Sequence, residues 1–127
     1  MKAQTRIATC SCQNLRVECT GEPTSVSVCN CLDCQRRTGS AFGIAAFFKQ
    51  DKVRVNGTAS CFSRTSESGY DFSFSFCPSC GNTVYWETTR KQGFVAVAAG
   101  AFADPDFPAP TQSVFEEHQH PWLKILS

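Results

Sequence analysis

The sequence contains no run of apolar residues approaching the ~20 that a transmembrane helix requires. Its first ten residues, MKAQTRIATC, also lack the apolar segment of a secretory signal peptide. An excess of one charge is missing as well, because 12 Lys and Arg residues oppose 11 Asp and Glu residues, giving a net charge of +1. We therefore expect a cytoplasmic protein that has neither a membrane partner nor a nucleic-acid partner.

No stretch of the chain shows the sustained 3.6-residue hydrophobic period of a long amphipathic helix. Short alternating runs dominate instead, and residues 15–20 (LRVECT) and 70–76 (YDFSFSF) are the clearest of them. Residues 32–37 (LDCQRR) can supply one or two helical turns. Further strand candidates are residues 24–28, 42–48, 52–55, 83–87, 94–100 and 113–117. The pattern predicts an all-β fold of mainly antiparallel short strands, forming a single domain over residues 1–127.

Cysteine is abundant, with nine residues, and an odd number cannot pair completely in disulfides. In a reducing compartment, clustered cysteines bind metal more often than they form disulfides. We therefore predict zinc as the cofactor. Seven of the nine cysteines fall into three closely spaced groups, which are Cys10 and Cys12, then Cys29, Cys31 and Cys34, and finally Cys77 and Cys80.

The first and third groups are suited to share one metal ion. In a strand, Cys10 and Cys12 point to the same face and can present both sulfurs to one ion. Cys77 and Cys80 have the C-x2-C spacing of a zinc knuckle, and Gly81 can adopt the positive φ that such a turn often requires. Together the two pairs predict a structural zinc site with four thiolates, which we call the four-cysteine cluster.

The second group, which we call the triad, consists of Cys29, Cys31 and Cys34. Three protein ligands with one exchangeable position are typical of catalytic zinc. The sequence leaves open a fourth protein ligand, although we expect the candidate cysteines to be small buried residues and the candidate histidines to be solvated. These candidates are Cys19, Cys61, His118 and His120.

The three cysteine groups, with Arg and Gly after the second and Gly after the third, resemble the glutathione-dependent formaldehyde-activating (GFA) enzyme family. The same domain occurs in centromere protein V. The resemblance covers most of the chain, namely Cys10 to Cys12, residues 29–42 (CNCLDCQRRTGSAF), Phe76 to Gly81, Gly100, Asp104-Pro105 and Pro121-Trp122.

The resemblance implies a β-rich fold with a structural zinc on the four-cysteine cluster and a catalytic zinc on the triad. It also implies a carbon–sulfur lyase activity on S-hydroxymethylglutathione, the adduct of formaldehyde and glutathione. Related sequences commonly have Gly, His and a His-Ile pair at three positions where this chain has Gln13, Asn30 and Ser113-Val114.

Zinc held by three thiolates favours a soft fourth ligand, so a small substrate thiol such as glutathione can bind there as a thiolate. Arg36 and Arg37 follow the triad and are candidates for orienting a substrate carboxylate or stabilising an alkoxide. Both can equally be solvated charges on a helical turn.

We expect the triad zinc to be the more labile of the two. The main alternative function is a zinc-stapled protein-interaction module without catalysis, and a thiol redox sensor is a third. The sequence does not indicate an oligomeric state.

Overall fold

The computed structural model describes residues 4–124, and this part of the chain forms ten strands, one α-helix and four short 3-10 helices. The helix, α1, spans Leu32–Thr38. The predicted all-β fold with one or two helical turns is confirmed. The strands are β1 (Thr5–Thr9), β2 (Arg16–Thr20), β3 (Ser25–Cys29), β4 (Gly43–Lys49), β5 (Val53–Asn56), β6 (Ser60–Thr65), β7 (Asp71–Phe76), β8 (Thr83–Thr88), β9 (Phe94–Ala98) and β10 (Gln112–Val114).

The strands form two sheets. The small sheet has the order β1-β2-β5, and the large sheet has the order β10-β3-β4-β9-β8-β7-β6. Neighbouring strands pair antiparallel, except that β10 runs parallel to β3 at the edge of the large sheet. The expectation of mainly antiparallel strands is therefore confirmed.

The main core lies between the small sheet and one face of the large sheet, which we call the inner face. Strand β2 shows the alternation expected from its sequence, because Val17 and Cys19 are fully buried between exposed or half-buried neighbours. Burial raises the pKa of the Cys19 thiol to about 12, so this cysteine stays a neutral core residue, as expected. The large sheet contributes Val26, Ala46, Phe48, Val84, Val95 and Val97.

The opposite, outer face of the large sheet carries a second apolar cluster. Phe74, Trp86 and Ala96 are buried there on three adjacent strands, in the register Phe74 to Trp86 to Ala96. Helix α1 covers one end of this face, because Arg37 of the helix stacks over Trp86. Gly43, at the start of β4, lies against the helix, because a Cβ there would be 3.5 Å from Cys34 Cβ. The end of the outer face beneath α1 therefore adjoins the triad.

Several local predictions are wrong. The N-terminal strand, β1, ends at Thr9, so Cys10 and Cys12 lie in the turn after it and not in a strand as expected. Strand β6 was not expected, and β10 ends at Val114 because Phe115 adopts a φ of 55° that a strand cannot continue. Cys61, expected to be buried, is exposed because β6 is the edge strand of the large sheet. Within residues 4–124, no helix has the length and apolarity to cross a membrane.

Candidate metal centre

The four-cysteine cluster joins the two sheets. Cys10 and Cys12 lie in the turn between β1 and β2 of the small sheet, and Cys77 and Cys80 lie in the turn between β7 and β8 of the large sheet. The Gly81 N–H donates to the Cys77 carbonyl at 2.8 Å, and Gly81 has a φ of 82°, as the knuckle spacing predicted. The structure therefore brings together the four cysteines that the sequence grouped.

The sulfur positions fit a single tetrahedral metal ion. Cys12 Sγ lies 3.6 Å from Cys10 Sγ and 3.5 Å from Cys77 Sγ, and all four sulfurs lie within 4.8 Å of one another. Four sulfurs at ~2.3 Å from a zinc ion would be about 3.8 Å apart. All nine cysteines are free thiols, so no disulfide competes for these sulfurs. A donor set of sulfur alone is typical of structural zinc sites.

Backbone N–H groups and one side chain hold the sulfurs in place. The Leu15 N–H points at Cys10 Sγ at 3.3 Å, and the Ser79 N–H points at Cys77 Sγ at 3.4 Å. Asn82 connects the two turns, because its Oδ1 accepts from the Ser11 N–H at 2.6 Å. Such outer contacts orient metal ligands and are part of a built site.

Backbone N–H groups favour thiolates at Cys77 and Cys80. The N–H groups of Asn82 and Cys12 lower the pKa of Cys80 to about 6, and the N–H of Cys80 lowers the pKa of Cys77. The Asn14 N–H lowers the pKa of Cys12, but the hydrogen bond with the Cys77 thiol and burial outweigh it and raise that pKa to about 11. Because the thiolate is the form that binds metal, the lowered pKa values of Cys77 and Cys80 favour metal binding near neutral pH.

The triad lies where β3 passes into α1. Cys29 is the last residue of β3, Cys31 caps the N-terminus of α1, and Cys34 lies in the first turn of the helix. The Cys34 N–H points at Cys31 Sγ at 3.3 Å, so the sulfur takes the place of the oxygen of an ordinary N-cap residue. The three sulfurs lie within 4.8 Å of one another, which is compatible with one shared metal ion.

The triad also favours a thiolate. Hydrogen bonds from the thiols of Cys29 and Cys34 lower the pKa of Cys31 to about 2, while the same contacts raise the pKa of Cys34. These hydrogen bonds, together with the Cys34 N–H, therefore favour the thiolate at Cys31 over that at Cys34.

Among residues 4–124, no fourth His, Cys, Asp or Glu ligand atom joins the triad sulfurs. The two candidate histidines have other surroundings. His120 Nε2 donates to Gln35 Oε1 at 2.9 Å, and the His118 carbonyl accepts from Gln35 Nε2 at 3.1 Å. Gln35 Nε2 also donates to the Asn30 carbonyl at 2.9 Å, so this side chain links the triad loop to the C-terminal segment.

Asn30, between two triad cysteines, is fully buried. Its Nδ2 donates to Ser113 Oγ at 2.9 Å and to the Val114 carbonyl at 3.0 Å. Asn30 and Ser113, two positions at which the resemblance implied other residues, are therefore in direct contact. Their hydrogen bond attaches the triad loop to β10.

The structure separates the two candidate arginines. Arg36 is on the solvent side of α1, where its side chain is 75% exposed and pairs with Asp33 at 3.3 Å. Arg37 is half-buried, with its Cζ 4.3 Å from the centroid of the Trp86 ring. Arg37 follows Cys34 by three residues, and side chains three apart share one helix face. That spacing is the sequence signal that distinguishes Arg37 from Arg36.

Sequence reasoning missed four residues that shape these sites. Gln35 and Asn82 bridge separate segments, and no local pattern marks such a contact. Gly43 and Trp86 lie on β4 and β8, and only the sheet order brings them under α1. Their roles depend on strand pairing, which the sequence does not specify.

Comparisons with known proteins agree with this arrangement. The crystal structure of a Rhodobacter sphaeroides protein superimposes with a TM-score of 0.59 and 20% sequence identity, covering 75% of this chain and 85% of that chain. This similarity shows the shared fold. No curated protein matches the sequence significantly. The family described as glutathione-dependent formaldehyde-activating enzyme matches residues 5–118, which include both cysteine clusters, and the chain therefore belongs to that family.

Proposed function

We propose that this protein is a zinc-dependent enzyme that forms or cleaves the carbon–sulfur bond of an adduct between a small thiol and an aldehyde. The family description suggests glutathione as the thiol and formaldehyde as the aldehyde, with S-hydroxymethylglutathione as the adduct. In this proposal the four-cysteine cluster holds a structural zinc, and the triad holds a catalytic zinc.

One observation carries the proposal. The triad offers three sulfur ligands, and no fourth protein ligand joins them within the described part of the chain. Three protein ligands with an open position are the pattern of catalytic zinc, whereas structural sites are usually closed by four. The four-cysteine cluster is a closed set of this kind in the same molecule.

The proposed reaction needs no change of oxidation state. The thiol sulfur forms a bond to the carbonyl carbon, the π electron pair of the carbonyl moves to oxygen, and that oxygen takes up a proton while the thiol gives one up. Cleavage is the reverse of these steps. A zinc ion bound by three thiolates supplies an open position at which the pKa of a substrate thiol falls.

The residues around the triad keep its three sulfurs in one arrangement. The Cys31 sulfur is fixed by the N-terminus of α1, and Cys34 lies within the helix itself. Gln35 and Asn30 attach the loop to the C-terminal segment and to β10. A rigid set of ligands is what a site requires when one coordination position must remain free for substrate.

X-ray absorption at the metal edge tests the open position. Protein with cobalt in the triad and zinc in the four-cysteine cluster should show three sulfurs and one light atom around cobalt. Excess glutathione should replace the light atom with a fourth sulfur at about 2.3 Å. A cobalt ion with four protein ligands that no thiol alters would contradict the proposal and favour the non-catalytic interaction module.

Catalysis is tested separately by carbon-13 exchange spectroscopy. In a mixture of labelled formaldehyde and glutathione at equilibrium, the enzyme should accelerate exchange between free formaldehyde and the adduct. Cys31→Ser protein should leave the exchange at its uncatalysed rate. Equal exchange rates with wild-type protein and with no protein would show that this adduct is not the substrate.

A further inference from the structure

The side chain of Arg37 has no partner of opposite charge in the part of the chain that the structure describes. Among residues 4–124, no carboxylate lies within 4.0 Å of its guanidinium, whereas Asp33 pairs with Arg36 at 3.3 Å and with Arg64 at 3.4 Å. Arg37 Nε is buried and has no hydrogen-bond partner in the described part of the chain. The charge of this guanidinium therefore lacks a counterpart there, and a ligand carboxylate would supply one.

Aromatic rings hold the Arg37 guanidinium in position. Its Cζ lies 4.3 Å from the centroid of Trp86 and 5.6 Å from the centroid of Phe74, both on the outer face of the large sheet. A guanidinium stacked over ring faces is fixed in orientation, and its N–H groups at the edge remain free to donate.

Gly43 brings this guanidinium next to the triad. A Cβ at position 43 would lie 2.8 Å from Arg37 Nη2 and 3.5 Å from Cys34 Cβ. Gly43 is also the pairing partner of Cys29 in the sheet. Because Gly43 has no side chain, the guanidinium can lie beside β3 and α1, the two elements that carry Cys29 and Cys34.

An open cleft begins at the same place. Its volume is ≈ 660 Å³, and Arg37, Thr38 and Gly43 form part of its lining. Elsewhere Cys10 of the four-cysteine cluster and neutral polar side chains line it, among them Ser11, Gln13 and Asn82, and no Asp or Glu residue is in the lining. Arg37 is the one charged side chain among the residues that line this cleft, and the charge is positive.

We infer that Arg37, held by Trp86 and given room by Gly43, is the residue that binds a carboxylate of the thiol substrate, and that the enzyme therefore selects thiols that carry a carboxylate. This inference rests on the proposed function, since it concerns a ligand whose sulfur lies at the triad. Planar guanidinium and carboxylate groups pair through two parallel hydrogen bonds, which fixes the orientation of the substrate as well as its affinity. Arg36 has no such role.

The test uses two thiols that differ only in the carboxylate, namely 3-mercaptopropionate and its neutral amide, 3-mercaptopropionamide. Each is titrated into protein with cobalt in the triad, and binding is followed by the sulfur-to-cobalt charge-transfer absorption. Wild-type protein should bind the carboxylate thiol at least about 10-fold more tightly than the amide, the difference that one charge-assisted hydrogen bond supplies. Equal affinities would overturn the inference.

Substitutions test whether the preference for the carboxylate thiol depends on Arg37. Arg37→Ala should reduce the preference to about one, and Arg37→Lys should restore part of it, because the charge returns without the planar fork. Arg36→Ala is the matched control and should keep the full preference. Gly43→Ala should weaken the preference while leaving the protein folded, because the added Cβ would be too close to Arg37 Nη2 alone, at 2.8 Å, and would meet Cys34 Cβ at an ordinary contact distance of 3.5 Å. Equal losses in Arg36→Ala and Arg37→Ala would contradict the assignment.

A sulfur-free probe separates this inference from the proposed function. Propanoate, which has the carboxylate but no thiol, should shift the Arg37 Nε–H resonance in nitrogen-15 spectra, and propanamide should not. If neither thiol alters the cobalt absorption but propanoate shifts the resonance, the proposed function is wrong and the carboxylate site stands. If both thiols bind and propanoate leaves the resonance unchanged, the function stands and the carboxylate site is wrong.

Discussion

The two cysteine clusters use the same side chain but join different parts of the molecule. The four-cysteine cluster connects turns from two separate sheets, and its Cys12 and Cys77 lie 65 residues apart in sequence. The triad lies within residues 29–34, at one strand-to-helix junction. A link between distant segments removes far more freedom from the unfolded chain than a link within one turn. The first cluster is therefore suited to stabilise the fold, and the second is free to serve another purpose.

Burial separates the two clusters less sharply. Cys10 and Cys77 belong to the main core, with 2% and 0% of their surface exposed, whereas Cys12 of the same cluster is exposed and Cys80 is half-buried. The three triad cysteines are all half-buried, at the end of the outer face beneath α1. The number of ligands and their separation in sequence therefore distinguish the two sites, and burial does not.

The largest expected effect is on the four-cysteine cluster. Cys77→Ser removes a ligand from a site whose metal can contribute about 10 kcal/mol or more to folding, which is comparable to the whole stability of a small domain. We expect this variant to lose its cooperative thermal transition and both equivalents of zinc. Thermal unfolding by circular dichroism and metal analysis of the purified protein measure the two effects.

The control for this prediction is Cys61→Ser. Cys61 is exposed on β6 and belongs to neither cluster, so its replacement should leave the melting temperature and the metal content unchanged. If Cys77→Ser protein kept the wild-type melting temperature, the four-cysteine cluster would not be the structural site.

The triad should respond differently to the same chemical change. Cys31→Ser should lower the zinc content from two equivalents to one and leave a folded protein with a cooperative thermal transition. Serine is a good N-cap residue, so its hydroxyl can accept from the Cys34 N–H and preserve the start of α1. Metal analysis and thermal unfolding test both statements. Global unfolding of Cys31→Ser protein would instead mark the triad as a second structural site.

A smaller effect is expected from replacing Asn30, which lies between Cys29 and Cys31 of the triad. Asn30→Ala removes hydrogen bonds to Ser113 and Val114 from a fully buried position. We expect a loss of about 1–3 kcal/mol in the free energy of unfolding. Because Asn30 fixes the triad loop to β10, the affinity of the triad for metal should also fall, by about 10–100-fold.

Chemical denaturation measures the stability change, and competition with a chromophoric chelator measures the metal affinity. Ser113→Ala is the matched control, because it removes one of the two hydrogen bonds and should show part of each effect. If Asn30→Ala protein lost stability but kept the triad affinity of the wild type, Asn30 would be a core residue without influence on the metal.

The difference between the clusters also decides how much could be predicted from sequence. The spacing of Cys10, Cys12, Cys77 and Cys80 was sufficient to group them, although Cys10 and Cys12 lie in a turn and not in the strand that the grouping assumed. Strand β2 was predictable, since alternating burial of Val17 and Cys19 reflects a local period of two. Local geometry and donor chemistry carry this information.

Features that depend on pairing between distant segments could not be predicted. Strand β6 has only a weak apolar pattern, because one edge of it lacks a neighbour, and this also explains why Cys61 is exposed. The parallel pairing of β10 with β3 places Ser113 against Asn30, and no pattern in the sequence of either segment indicates this pairing. The position of Arg37 beside Gly43 and Trp86 follows from the sheet order in the same way.

The smallest expected effect is on stability and comes from replacing Gln13, in the turn that carries Cys10 and Cys12. Gln13 has a φ of 66°, in the left-handed region, and its N–H donates to the Cys10 carbonyl at 3.0 Å. A residue with a Cβ is strained there, so Gln13→Gly should raise the free energy of unfolding by about 0.5–1 kcal/mol, after allowing for the greater freedom of glycine in the unfolded chain. Chemical denaturation of zinc-loaded protein measures the change.

Gln13→Ala keeps the strain and removes only the side chain, and it should therefore give no stabilisation. A less stable Gln13→Gly protein would show that the Gln13 side chain, rather than the backbone, controls this turn.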